Sequence, residues 1–356
     1  MKNRIAMAPM TTWASNDDYT LSDDEIKHYE ARSGNVGLVI TGCTRIMPNG
    51  IGFHNEYGAY YDKFLPSLKK MAAAAKKGGA PAILQIYHAG NKAIPELLAD
   101  GVPVSASAVA LVPSAFYQGG IVSHELSHEE ILEMIKAFGD LTHRAIKAGF
   151  DGVELHGAHG FLLQNFFSPY YNLRTDNWGG TDEKRMNFAL EVIKEVQHVI
   201  KKYADKPFLL GFRISPEEPE SYRVKDTFPF IDKLIEAEID YLHVSLRSVL
   251  LQKSTDAPDD DTTIIKMILN HVADRIPVLA AGNIKQAADA VESINLGLTM
   301  AAVGHGLIIN PNWVELAKNG ETANEILSMS KADELAIPKK LQAFINIATG
   351  FFQVTD

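Results

Sequence analysis

Apolar and polar positions along this chain follow two alternating periods. Short, nearly continuous apolar runs recur at Arg4–Met10, Val36–Gly42, Pro81–Tyr87, Gly152–His156, Phe208–Ser215, Tyr241–Ser245, Pro277–Gly282 and Met300–Gly304. They are rich in Val, Ile, Leu and Ala and are bounded by Gly and Pro. That is the pattern of strands buried on both faces of a parallel sheet. Between them the period is helical. Ser22–Arg32 opens on a cap residue with Glu25 placed for a capping box. Phe64–Lys77 is Ala/Lys-rich. In Ser127–Ala148, apolar Ile131, Ile135, Phe138, Leu141 and Ile146 share a face, and Gly149 stands where a helix would stop. Thr181–Tyr203, Lys225–Ala237, Thr262–Asp274 and Ile284–Asn295 complete the alternation.

This order predicts an α/β fold, a closed (β/α)8 TIM barrel, in preference to an open doubly wound sheet. No G-x-G-x-x-G follows any run, so a dinucleotide-binding fold has no support. The expectation is a single barrel domain over residues 1–356, with the barrel at about 4–318 and a C-terminal helical extension at about 325–350. Two long connections follow strands: His88–Ser127, expected to hold a hairpin, and Ala158–Gly180. Long connections are uncommon unless functional, and both lie on the face where barrel enzymes work. The first run begins at residue 4, so the chain offers nothing to close the barrel's base. A short missing leader would account for that.

Composition narrows the setting. The chain has 356 residues, 46% hydrophobic and 22% charged, as expected for a globular protein with a full-size core. Cys43 is the single cysteine, which excludes an intrachain disulfide and a Cys-rich metal cluster from one chain. The apolar runs fall well short of the ~20 residues of a spanning helix. No apolar stretch follows Lys2 and Arg4 as a secretion signal, so the expected location is cytoplasmic. A formal charge of −10 argues against nucleic acid or an anionic membrane as partner. It also requires that any bound phosphate be held by local donors. The expected partner is a small-molecule substrate; self-association into a homo-oligomer stays open.

A barrel would gather the strand ends at one mouth. They are Ala8-Pro9-Met10-Thr11, Thr41-Gly42-Cys43, Gln85 with His88-Ala89-Gly90, His156 and His159, Arg213, Ala281-Gly282-Asn283 and Gly304-His305-Gly306. The glycines of the last two loops let backbone N–H groups approach a phosphate, or are plain turn residues. Arg213 ends an apolar run, which is costly unless the guanidinium meets an anion or several acceptors. It is either a structural ion pair or a fixed positive charge under a cofactor that turns anionic. Gln85 carries donor and acceptor on one amide, suited to a heteroaromatic ring edge or to a satisfied core site. For His156 and His159 three readings stand: a structural pair, a metal site with Glu154 as third ligand, or two donors gripping one anionic or carbonyl oxygen.

At these residues the chain resembles the Old Yellow Enzyme family of FMN-dependent ene-reductases and NAD(P)H dehydrogenases. The matching segments are KNRIAMAPMT at Lys2–Thr11, LQIYHAG at Leu84–Gly90, GVELHGAHGFLLQNFFSPYYNLRTDNWGG at Gly152–Gly180, Arg213, PVLAAGNI at Pro277–Ile284 and AAVGHGLIINPNW at Ala301–Trp313. The resemblance implies a non-covalent FMN across the barrel mouth, with NADH or NADPH as reductant and an activated alkene as acceptor. It implies that Pro9, Met10 and Thr11 touch the flavin, with Thr11 tuning it. Gly42 would meet the ring through its backbone, Gln85 would read the pyrimidine edge, and Arg213 would sit beside N1 and O2. Gly282, Asn283, Gly304 and His305 would hold the phosphate. His156 and His159 would hold a substrate oxygen. The chain departs from the pattern at four places, one of them Thr41, which stands where the family usually has an acid. Phe161 and Trp13, expected in the substrate pocket, stand where the family commonly has tyrosines, and His305 stands where it commonly has Arg. The missing hydroxyls leave room for an NADH oxidase-like or quinone/nitro reductase with weak alkene activity, or for a flavin-binding protein with little turnover.

Overall fold

The computed structural model describes residues 1–113, 119–219, 221–348, 350 and 352–355. The apolar runs form parallel strands β1 (Ile5–Met7), β2 (Leu38–Ile40), β3 (Ala82–Tyr87), β4 (Gly152–Gly157), β5 (Leu209–Ile214), β6 (Tyr241–Ser245), β7 (Val278–Ala281) and β8 (Met300–Val303). Hydrogen-bonded neighbours run β2-β1-β8-β7-β6-β5-β4-β3, and pairing of β2 with β3 closes the barrel.

Register decides which side chains enter the bore. Ala6 lies beside Leu38 and Ala302, Gln85 beside Glu154, His156 beside Arg213, and Arg213 beside His243. Partners in register share a face, and side chains alternate along a strand. The outward set includes Leu84, Ile86, Val153, Leu155, Phe212 and Val244, which pack against the surrounding helices in the main core. The inward set includes Ala6, Ala8, Leu38, Ile40, Leu279, Ala281, Met300 and Ala302, a second apolar cluster. The bore is therefore two-sided. Strands β7, β8, β1 and β2 line it with small or apolar groups. Strands β3 to β6 carry Gln85, Glu154, His156, Arg213 and His243.

The helices begin and end where capping chemistry dictates. Ser22 and Ser127 make capping boxes with Glu25 and Glu130, starting Asp23–Arg32 and His128–Ala148. Gly149 ends the latter at φ 90°, the left-handed conformation glycine adopts without strain. The helix expected from Lys225 starts later, at Phe228, because Val224–Thr227 forms a tighter 3-10 turn and a proline occupies the first turn.

The long connection after β3 carries an antiparallel bridge between Ala110 and Val122. The tip of this expected hairpin lies outside the described residues. Its base is not a simple hairpin, since Val104–Ser105 and His124–Glu125 pair in parallel.

The C-terminal segment is less helical than its composition suggests. Among its described residues only Lys339–Ile347 is α-helix, led in by Pro338, while Leu327–Ser328 pairs with Val354–Thr355. Nor is it a loose appendage. Ile308, Ile309, Ile337, Leu341, Ile345 and Phe352 share one cluster. The buried Arg32 guanidinium also donates to the carbonyls of Leu307, Ile308, Leu335 and Ala336. Among the described residues no helix is long and apolar enough to cross a membrane.

Candidate active site

Two adjoining hollows open at the C-terminal ends of the strands. The larger, of about 770 Å³, is lined by Pro9, Met10, Thr11, Trp13, Gln85, His156, His159, Phe161, Arg213 and His305, among others. The smaller, of about 410 Å³, is lined by Ala8, Gly282, Asn283, Lys285, Ala302, Gly304, His305 and Phe352, among others. Pro9, Met10, Arg213, Arg247 and His305 line both. The barrel thus brings together every residue expected to touch cofactor or substrate except Gly42, while the neighbouring strand-end residues Thr41, His88, Ala89 and Gly90 line neither hollow. Gly42 is packed behind the rim: a Cβ there would run into the Met10 carbonyl oxygen. Its N–H and carbonyl are taken by the Tyr29 and Tyr57 hydroxyls. Cys43, next along, lines the larger hollow, with its thiol 3.3 Å from Thr11 Oγ1.

The polar side of the bore is organised around Glu154, which is fully buried. One carboxylate oxygen accepts from Gln85 Nε2 at 2.7 Å. The other accepts from the Tyr241 hydroxyl at 3.0 Å and faces His243 Nδ1 at 2.9 Å. Burial pushes this carboxyl up, but His243, Arg213 and Gln85 outweigh it and hold the group below the ordinary range. Glu154 is thus an anion with its partners in place, as a buried charge requires. It also fixes the Gln85 amide, which has its nitrogen on Glu154.

Arg213 is 6% exposed, and its guanidinium touches Ser245 Oγ at 3.1 Å through Nη2. Its Nε is buried with no hydrogen-bond partner among the described residues. An orphaned donor on a cation facing the shared rim of the hollows calls for an acceptor from a ligand.

His156 and His159 sit with ring centroids 5.0 Å apart. The Ala158 N–H donates to His156 Nδ1 at 3.3 Å, which leaves Nε2 as the protonated nitrogen of the neutral ring. His159 is held by a left-handed backbone (φ 60°), by its N–H on Ser215 Oγ at 3.0 Å and by Nε2 against Ser245 Oγ at 2.7 Å. Burial, reinforced by the charge of Arg213, drops both imidazoles well below the ordinary histidine range. Both are neutral near pH 7; His156 carries its N–H on Nε2, while Nε2 of His159 is engaged with Ser245 Oγ. Among the described residues no group of three His, Cys, Asp or Glu side chains is placed to hold a metal ion. The carboxylate nearest in sequence, Glu154, is spent on Gln85, Tyr241 and His243.

A model of the NADH:flavin oxidoreductase / NADH oxidase family matches residues 1–324. The chain belongs to this family. A probable NADH-dependent flavin oxidoreductase of Bacillus subtilis (strain 168), YqiG, is 38% identical over 351 residues, covering 97% of this chain and 92% of that protein. The NADH:acrylate oxidoreductase of Vibrio harveyi is 38% identical over 346 residues, covering 96% of this chain; the chain spans 34% of that protein. Among solved structures, morphinone reductase superposes with a TM-score of 0.74 at 25% identity, covering 91% of this chain and 87% of the other. The resemblance to the Old Yellow Enzyme family therefore holds. As a member of the NADH:flavin oxidoreductase / NADH oxidase family, the chain is an FMN-dependent NAD(P)H oxidoreductase.

The site fits that cofactor. The larger hollow offers the Gln85 amide and the Arg213 guanidinium, whose Nε is unpaired among the described residues, to a heteroaromatic ring. The smaller offers a phosphate cradle: a Cβ at Gly304 would project toward Met10 and Ala8, which line it. His305 stacks on Phe352 at 4.2 Å. Burial, with Lys285 nearby, holds His305 below the ordinary range, so it is neutral in the empty site. Lys285 adds a cation, shared with Glu325 at 3.0 Å.

Sequence reasoning missed Lys92, Ser215, Ser245, Glu218, Lys285 and Phe352. Lys285 directly follows a recognised motif segment and Lys92 lies two residues beyond one, which was a usable signal. Phe352 had none.

Proposed function

We propose that this enzyme passes electrons from NAD(P)H to a small electron-poor alkene conjugated to a carbonyl or nitro group. The carrying observation is the His156/His159 pair: two neutral imidazoles in one hollow, with the His156 proton on Nε2. Such donors hold a carbonyl oxygen and stabilise the negative charge that grows there as the β-carbon is reduced. When bound, FMN supplies the two-electron chemistry that neither imidazole can perform. Arg213 contributes fixed positive charge at the cofactor's side of the hollow. Gln85, anchored by Glu154, sets the ring's orientation. Phe53, Phe161 and Trp13 supply apolar walls. Acrylate, which the Vibrio relative's name gives as its acceptor, is an alkene of the same chemical class.

A second reading draws on Phe161 and Trp13. Neither has a hydroxyl, and Trp13 is stacked on Phe344 at 3.9 Å. An acceptor that needs no proton on carbon, such as a quinone, would not notice their absence. Rapid mixing separates the readings. The anaerobic holoenzyme is bleached with NADH, then mixed with 2-cyclohexenone or with a quinone. Fast reoxidation by the enone supports the alkene reading. Reoxidation by the quinone alone supports the second, and failure to bleach overturns both.

A further inference from the structure

Phe161 lies in the loop after β4, beside the histidine pair, and has no proton for the α-carbon of an alkene. A different group occupies that corner. Lys92, from the loop after β3, lines the same hollow as His156, His159, Phe161 and Gln164. Its ammonium donates to the His159 carbonyl at 2.5 Å and lies 5.9 Å from the centre of the Phe161 ring. Gly160 separates those two residues at φ 73°, and a Cβ there would come within 2.7 Å of Lys92 Nζ. The loop 159–161 therefore runs directly against the ammonium.

We propose that Lys92 is the acid that protonates the acceptor's α-carbon, in the role a hydroxyl at residue 161 would otherwise fill. The inference rests on the alkene reading above. Once the β-carbon has received hydride, the electron pair of the former double bond is shared between the α-carbon and the oxygen held by His156 and His159. A Lys92 N–H bond then breaks and a C–H bond forms at the α-carbon with that pair. The neutral amine recovers its proton from water. The alkene gains one hydride and one proton, and no further reductant is consumed.

The surroundings suit this role. Burial pulls Lys92 below the ordinary lysine range while Glu218 opposes the shift. A lysine brought down toward neutral pH is a more effective acid. Glu218, from the loop after β5, accepts from Ser168 Oγ and from Gln164 Nε2, the latter at 3.2 Å. The other charged groups lining the hollow are Glu217, Arg213 and Arg247.

The test uses Lys92→Met and Lys92→Arg holoenzymes in the rapid-mixing experiment, with FMN affinity measured by fluorescence titration to confirm an intact site. Lys92→Met is expected to slow reoxidation by 2-cyclohexenone by about 100-fold or more, the usual contribution of general acid catalysis. Reoxidation by a quinone should fall far less. Lys92→Arg keeps a cation and donors for the His159 carbonyl but releases its proton poorly, so it should be as slow as Lys92→Met with the enone. Adding Phe161→Tyr to Lys92→Met should restore the enone rate. Full enone turnover by Lys92→Arg, or equal slowing with enone and quinone, would reduce Lys92 to a prop for the loop and overturn the proposal. A wild-type enzyme that bleaches with NADH but never reduces the enone would instead overturn the alkene reading on which it rests.

Discussion

The Ala158 N–H decides which nitrogen of His156 faces the hollow, because it donates to Nδ1 and leaves the proton on Nε2. His156→Ala should therefore weaken binding of a phenolate ligand to the oxidised enzyme by roughly tenfold or more, since a hydrogen bond to a charged group contributes about 1.5–3 kcal/mol. A spectral titration with p-hydroxybenzaldehyde checks this; unchanged affinity would remove His156 from the oxygen-binding role. His305 makes the opposite case, because its neutrality limits it. A bound phosphate favours the imidazolium, so the folded-and-loaded state takes up a proton that the empty site resists. FMN affinity should rise as pH falls from 8 to 6. His305→Arg should bind FMN more tightly and lose that slope, as measured by fluorescence titration at several pH values. At this scale the sequence was most readable where a polar residue interrupts an apolar run: Gln85, His156 and Arg213 each do so. Glu218 sits among other polar residues, where nothing marks it out, and Ser245 closes an apolar run with a residue that reads as an ordinary strand end.

Strand and helix order was readable because burial on both strand faces leaves an unbroken apolar run, and because caps have their own chemistry. What an element does with its polar residues was not. The helix Asp23–Arg32 shows its capping box in the sequence, yet Glu25 is also buried and takes a hydrogen bond from Thr12. Burial pushes its carboxyl up to about 7 from 4.5. The native state therefore holds this proton more tightly than the unfolded chain does. The stability linked to Glu25 is full below pH 4.5 and is lost as pH rises through about 7. In Glu25→Gln that part of the slope should vanish, as urea unfolding at pH 5, 6 and 7 would show; an unchanged slope would assign the proton elsewhere. Gly42 teaches a similar lesson. A small residue at the end of β2 was expected to meet the cofactor ring, but what requires glycine there is the Met10 backbone pressed against it. The C-terminal stretch misled for a local reason: its Ala and Leu residues look helical, but Ala336 adopts φ 50° and Pro338 delays the helix.

Across the whole molecule, eight strand ends converge on one mouth, and that convergence follows from strand order alone. The return of the chain terminus does not. Gly350, Phe352 and Gln353 line the smaller hollow beside Gly304 and His305, and no periodic pattern announces a contact made by so few residues. Phe352→Leu should keep the apolar cluster filled but remove the ring against His305. With aromatic pairs worth about 0.5–1.5 kcal/mol, FMN affinity should fall a few-fold with little change in the thermal midpoint of the apoprotein. An unaltered dissociation constant would leave the terminus with a packing role only.

The two-sided bore has a consequence for how such a protein acquires its colour. The smaller hollow, proposed above to take the cofactor's tail, owes its room on the barrel side to side chains that stop at a methyl group, Ala8, Ala281 and Ala302. Their neighbours along each strand point outward and hold the helices. Loading and folding are thus written on opposite faces of the same three strands, so each can be rewritten by mutation without erasing the other.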